Sequence, residues 1–167
     1  MNFTCCFFGH REIKVTDELI EELKGIIKEL ITVKKVDTFL FGSKSGFNSL
    51  CYETVTEIKE EYPNIKRVYV RAEYPETDGN YEKYLLSKYE ETYYPQRIKG
   101  AHRAVYIERN REMIDKSRYC VIYFDRNVAY KNRRSGTKSA LCYAKGEKRD
   151  IYLISPSDKR ISNDHAQ

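Results

Sequence analysis

No apolar run in the 167-residue sequence approaches the ~20 residues that a membrane-spanning helix requires, which excludes a helical membrane protein. Nor does Met1 lead into a basic stretch and an apolar signal core. A strand-like segment follows it, so a soluble, cytoplasmic protein is expected. Cysteine pairs at finger spacing are missing as well. The five cysteines, Cys5, Cys6, Cys51, Cys120 and Cys142, form no C-x-x-C and lie mostly within apolar segments. Reduced, buried thiols are expected, with neither a metal nor a cofactor. There is no long lysine or arginine run: the net charge of +5 favours an anionic partner, but bases alternate with acids, which makes nucleic acid a secondary prospect. No internal repeat is visible, G-x-G-x-x-G is absent, and no Ser-His-Asp order can be assembled.

What is present suits one folded unit. A hydrophobic content of 41% is enough for one full core, and the 33% of charged residues are spread as a solvated surface would have them. One domain is expected over residues 1–156, with a tyrosine-rich insertion at about 72–101 and a flexible tail at 157–167. Short β-rich runs alternate with amphipathic stretches, the pattern of an α/β, doubly wound, mainly parallel sheet of about five strands with helices on both faces. Strands are expected at Phe3 to Phe8, Asp37 to Phe41, Ile65 to Val70, Tyr119 to Phe124 and Ile151 to Ile154. The first is compact and apolar, built of aromatic residues, Cys and Thr, and belongs near the middle of the sheet. Thr16 is a plausible N-cap for the clearest helix, in which Leu19, Ile20, Leu23, Ile26, Ile27, Leu30 and Ile31 recur at helical spacing. Further helices are expected over Phe47 to Glu61, Ala104 to Lys116 and Gly136 to Lys145, and a short one around Tyr84, Leu85 and Tyr89.

In such a sheet ligands bind outside the carboxyl ends of the strands, where loops enter helix N-termini that favour anions. Three segments fall there: Gly9-His10-Arg11, Gly42-Ser43-Lys44-Ser45-Gly46 and Ser135-Gly136-Thr137. Glycine permits close backbone approach, hydroxyls donate and cations supply charge, so together they suit a phosphate, whereas each alone also suits an ordinary capped turn. Gly-Ser-Lys-Ser lacks the earlier glycine and the adjacent Gly-Lys of an ATPase loop. A fourth feature is Glu108-Arg109-Asn110-Arg111-Glu112, which reads either as a solvated helix face or as Arg109 and Asn110 pointing into a shared cleft. His10 is equally open between a structural and a functional part.

Taken in order, Thr4-Cys5-Cys6-Phe7-Phe8-Gly9-His10-Arg11, Phe41-Gly42-Ser43-Lys44-Ser45-Gly46-Phe47, Arg109-Asn110-Arg111-Glu112-Met113-Ile114-Asp115 and Ser135-Gly136-Thr137 resemble the SLOG superfamily. That superfamily contains the Rossmann-like domains of DprA/Smf and LOG proteins, and the chain resembles in particular its small, stand-alone YpsA/YoqJ-like branch. The resemblance implies a nucleotide-derived ligand at the strand ends, contacted by the Gly-His-Arg turn, the Gly-Ser-Lys-Ser loop and the Gly-Thr helix start. LOG-type phosphoribohydrolases carry P-G-G-x-G-T-x-x-E, whose final Glu works on the N-glycosidic bond; Ala140 stands at that position here. The expectation is therefore a binding module for a phosphate-bearing, nucleotide-derived small molecule, an ADP-ribose-like or cyclic nucleotide signal, with no catalytic residue assigned. Gly42, Ser43, Lys44, Gly136 and Thr137 would hold phosphate, Arg11, Arg109 and Asn110 phosphate or ribose, and Tyr74 and Tyr81 would stack on a base or close the cleft. Two alternatives stand beside it: an N-glycosidic hydrolase or transferase using Glu73, Glu76, Glu108 or Glu112, and a DprA-like single-stranded DNA contact through the basic loop from Arg126 to Arg134. Because SLOG relatives often associate, a homodimer is expected.

Overall fold

The structure is a computed structural model and describes residues 3–72, 79–100, 102–127 and 136–156. Six strands form one sheet, all of whose neighbours are parallel: β1 (Thr4–Phe8), β2 (Thr38–Phe41), β3 (Lys66–Val70), β4 (Glu91–Tyr93), β5 (Tyr119–Tyr123) and β6 (Asp150–Ile154), in the order β4-β3-β2-β1-β5-β6. Among the described residues five helices have both ends placed: α1 (Asp17–Thr32), α2 (Gly46–Lys59), α3 (Gly79–Leu86), α4 (Ala104–Asp115) and α5 (Gly136–Gly146). The fold is the Rossmann-like, doubly wound arrangement expected, with one strand more.

β1 is central because it is apolar on both sides. Cys5 and Phe7 enter the core beneath α1, α2 and α3, while Cys6 and Phe8 enter the one beneath α4 and α5. Along α1, Leu19, Leu23, Ile27, Leu30 and Ile31 turn one stripe to the sheet, and Thr16 Oγ1 caps the helix by accepting from Leu19 N at 3.1 Å. Acidic Asp17 and Glu18 fill its first turn, which makes that N-terminus inhospitable to an anion. Four of the five cysteines are buried as expected, and burial pushes the thiols of Cys5, Cys6 and Cys51 well up; Cys142 is exposed.

The sixth strand lies inside the tyrosine-rich stretch. Three residues are too short to show an alternation, and β4 is held by its neighbours rather than by its own composition. Glu90, just before it, receives Arg67 Nε at 3.1 Å, Arg67 Nη2 at 2.9 Å and Arg67 N–H at 2.8 Å. Burial opposes the Glu90 charge, but these Arg67 hydrogen bonds outweigh it and hold the carboxyl down at about 2. Tyr89 packs against Tyr52, Tyr69 and Phe41 at ring separations of 4.9, 5.2 and 5.8 Å, and Tyr52 OH donates to Lys88 O at 2.8 Å. Part of the tyrosine-rich segment is thus core and clamp. No helix among the described residues is long and apolar enough to cross a membrane.

Candidate functional site

From β1 the chain winds outward through β2, β3 and β4, then returns to lay β5 on the other side of β1. α1 and α2 cover one face, α4 and α5 the other, so the switch point at which open parallel sheets place their ligand crevice falls between the carboxyl ends of β1 and β5. His10 bridges these two strand ends. Asp125 N–H, just beyond β5, donates to His10 Nε2 at 2.8 Å, which requires an unprotonated Nε2 and puts the ring proton on Nδ1. The ring is 7% exposed, between Tyr123 and Phe124 at 5.9 and 5.8 Å. Burial lowers its pKa, against the pull of the Asp125 charge. His10 is therefore a tie between strand ends, with its outer nitrogen already engaged.

The Gly9-His10-Arg11 turn rests directly on the first turn of α2. A Cβ at Gly9 would stand 2.4 Å from three atoms of Phe47, and one at Gly46 would stand 2.8 Å from Arg11 O. Glycine at both places permits two hydrogen bonds, Gly46 N–H to Arg11 O at 2.8 Å and Phe47 N–H to His10 O at 3.4 Å. Ser45 Oγ accepts from Asn48 N at 3.1 Å, and Ser43 Oγ accepts from Ser45 N at 2.9 Å. The leading N–H groups of α2 are thus consumed within the protein, in contrast to the open anion cradle expected of this helix start. What this loop offers a ligand is side chain: the Ser43 hydroxyl and the exposed Lys44.

Arg109 is no part of a solvated face. Its residue is 6% exposed; Nη1 donates to Gly42 O, Nε donates to Asn110 Oδ1 at 3.0 Å, and the guanidinium lies 5.6 Å from the Tyr106 ring centre. Gly42 makes room for it, since a Cβ there would meet Arg109 Cδ at 2.6 Å. The acids around it are engaged elsewhere. Glu108 Oε2 accepts from Lys99 N and Gly100 N at 3.1 and 3.2 Å, and Arg97 Nη1 pairs with Asp115 at 2.5 Å and Glu112 at 3.7 Å.

α5 begins with Gly136, which has open space around its Cα, and Thr137, whose residue is buried; no acid stands in its first turn. No hydrogen bond joins Thr137 to the other two turns among the described residues. Ala140, at the LOG glutamate position, is 3% exposed and packs in the core with Met113 and Leu141. Ser135, Glu73, Tyr74, Glu76 and residues 128–134 of the basic loop lie outside the described residues. Tyr81 packs half-buried against the core beneath α2.

Two residues at this edge escaped sequence reading. Asp125 supplies its backbone to His10, for which its place two residues past β5 was the available signal. Arg71 follows β3 at once, a cation closing the apolar run Val68-Tyr69-Val70. No group of His, Cys, Asp and Glu among the described residues is placed to hold a metal. A separate groove of about 320 Å³, lined by Ile31, Val36, Tyr62, Pro63 and Ile65 among others, lies at the amino ends of β2 and β3, away from the crevice.

A family model described as the YspA SLOG family matches residues 2–159. No curated protein matches the chain.

Proposed function

The chain belongs to the YspA SLOG family, and from that premise we propose that it binds, as a sensor or sequestering module, a phosphate-bearing, nucleotide-derived small molecule in the crevice between β1 and β5. Fold and family are consistent with nucleotide-related ligand binding in general. The observation that carries the finer reading is the joining of the β1 and β2 turns, through Gly46 N–H and Arg11 O, into one edge that presents Arg11, Ser43 and Lys44 beside the β5 end held by His10. In this proposal Arg11 and Lys44 neutralise phosphate, Ser43 donates to it, and the α5 start at Gly136 and Thr137 contributes backbone N–H groups and dipole. Arg109 and Asn110 line the β2 end, where Asn110 reads a ribose hydroxyl. His10, Gly9 and Gly42 shape and hold the edge. An ADP-ribose-like or cyclic nucleotide ligand fits these requirements.

Binding is favoured over turnover because the two described candidate acids, Glu108 and Glu112, are engaged within the protein. Ala140 brings no carboxylate, Glu108 accepts two backbone N–H groups, and Glu112 faces Arg97. Mass spectrometry of small molecules released from the purified protein, with thermal shifts across a nucleotide panel, tests the proposal. Recovery of a nucleotide and a matching shift are expected; no released nucleotide and no shift refute it. Self-association belongs to the same proposal, with exposed Tyr84, Leu86, Tyr106 and Ile107 as the apolar surface available. A monomer by sedimentation refutes that part.

A further inference from the structure

We infer that Arg71 is an additional anion-binding residue, which takes a second phosphate of the ligand at the carboxyl ends of β2 and β3; the inference rests on the nucleotide reading above. β2 and β3 are in register with Phe41 beside Tyr69, so Arg71, two residues beyond Tyr69, leaves the sheet at the same edge as the loop that holds Ser43. Its backbone is fixed: Arg71 N–H donates to Tyr93 O at 2.8 Å, and Ala72 after it is buried.

Among the described residues, Arg71 differs from its neighbours in the state of its Nε. Its Nε is buried without a hydrogen-bond partner, and no ion pair among the described residues includes it. Arg67, four residues earlier, spends its donors on Glu90 and Thr56, whereas Arg109 reaches Gly42 O and Asn110, and Arg149 reaches Ile114 O. A buried N–H with no acceptor costs stability that an apolar side chain of similar length would not. A planar guanidinium matches a phosphate oxygen pair in a way that an ammonium does not.

Position narrows the ligand. Strands lie about 4.8 Å apart, so the backbone of Arg71, just past β3, is set about 10 Å from the His10 turn after β1, which leaves room for two anionic groups side by side. A ligand that reaches both turns and Arg71 carries two anionic groups, as a nucleoside diphosphate or its derivatives do.

Arg71→Met in the full chain tests this through two measurements. Without ligand, its thermal midpoint is expected to equal or exceed that of the wild type, because no satisfied interaction is removed; a fall of several degrees assigns Arg71 a structural role and overturns the inference. In calorimetric titrations with AMP and ADP, the wild type is expected to bind ADP more tightly. Arg71→Met should weaken ADP on the order of tenfold or more and leave AMP within about twofold, with Arg71→Lys between. A wild type that prefers neither nucleotide, or a variant that weakens both equally or neither, overturns the inference alone. Failure of the wild type to bind either removes the nucleotide reading and this inference together.

Discussion

Gly9→Ala tests the contact on which the candidate site is built. An added Cβ would stand 2.4 Å from Cβ, Cγ and Cδ2 of Phe47, whereas carbon atoms rest at about 3.5–4.0 Å. Phe47 cannot yield easily: it is fully buried, with Tyr123 at a ring separation of 5.4 Å. Backing the β1 turn away would stretch the Gly46 and Phe47 hydrogen bonds to Arg11 and His10. Overpacking of this kind costs about 1–3 kcal/mol, and at about 2–4 °C per kcal/mol for a chain of this size the midpoint should fall by about 2–12 °C. Gly25→Ala is the control, since Gly25 is exposed within α1 with nothing within 4 Å of its Cβ position. That change should stabilise by about 0.5–1 kcal/mol. Urea unfolding followed by circular dichroism, compared at equal m-values, measures both. A Gly9→Ala protein as stable as Gly25→Ala would refute the packing of the β1 turn on α2.

Other outcomes follow from the same geometry. Because burial lowers the His10 pKa in the fold, the unfolded chain takes up its proton first; stability should decline as pH falls below about 6.5, and His10→Gln should flatten that decline. An identical pH profile for the variant would argue against the Asp125 tie. Glu90, held at about 2, contributes stability above its ordinary value of 4.5 that is lost as pH falls toward 2. Glu90→Gln should remove this acid-side loss and cost on the order of 1 kcal/mol at pH 7, since the pair is partly solvated; an unaltered acid limb in thermal melts would contradict it. Ala140→Glu should destabilise by about 3 kcal/mol or more by burying an unpaired carboxylate, without conferring nucleoside monophosphate hydrolysis. A stable, hydrolytic variant would reverse that conclusion. A disulfide reagent should titrate one thiol, Cys142, in the native protein and all five in denaturant; rapid reaction of a second native thiol would contradict the burial of the rest.

The layered fold was readable because burial imposes period on long elements. β1 is apolar and buried from Cys5 to Phe8, and α1 repeats its core residues over sixteen positions. β4 was not readable, since its three residues gain their place from the Arg67–Glu90 clamp and from pairing with β3. The turns after β1 and β2 were identified by glycine and hydroxyl content, but their workings depend on contacts between distant segments. Arg109 and Gly42 are 67 residues apart, and no local spacing distinguishes such a strut from a charged helix surface. Likewise, occupation of the α2 N–H groups by Arg11 and His10 carbonyls belongs to neither segment alone.

The pairing of Cys6 on β1 with Cys120 on β5, 114 residues later, sets an order of events in synthesis. The half-sheet from β1 to β4 can assemble as the chain leaves the ribosome, but one wall of the crevice does not exist until the final third has emerged. A ligand that needs both walls meets only finished molecules, and its presence in the cell draws nascent chains toward completion by mass action rather than by guiding their first steps.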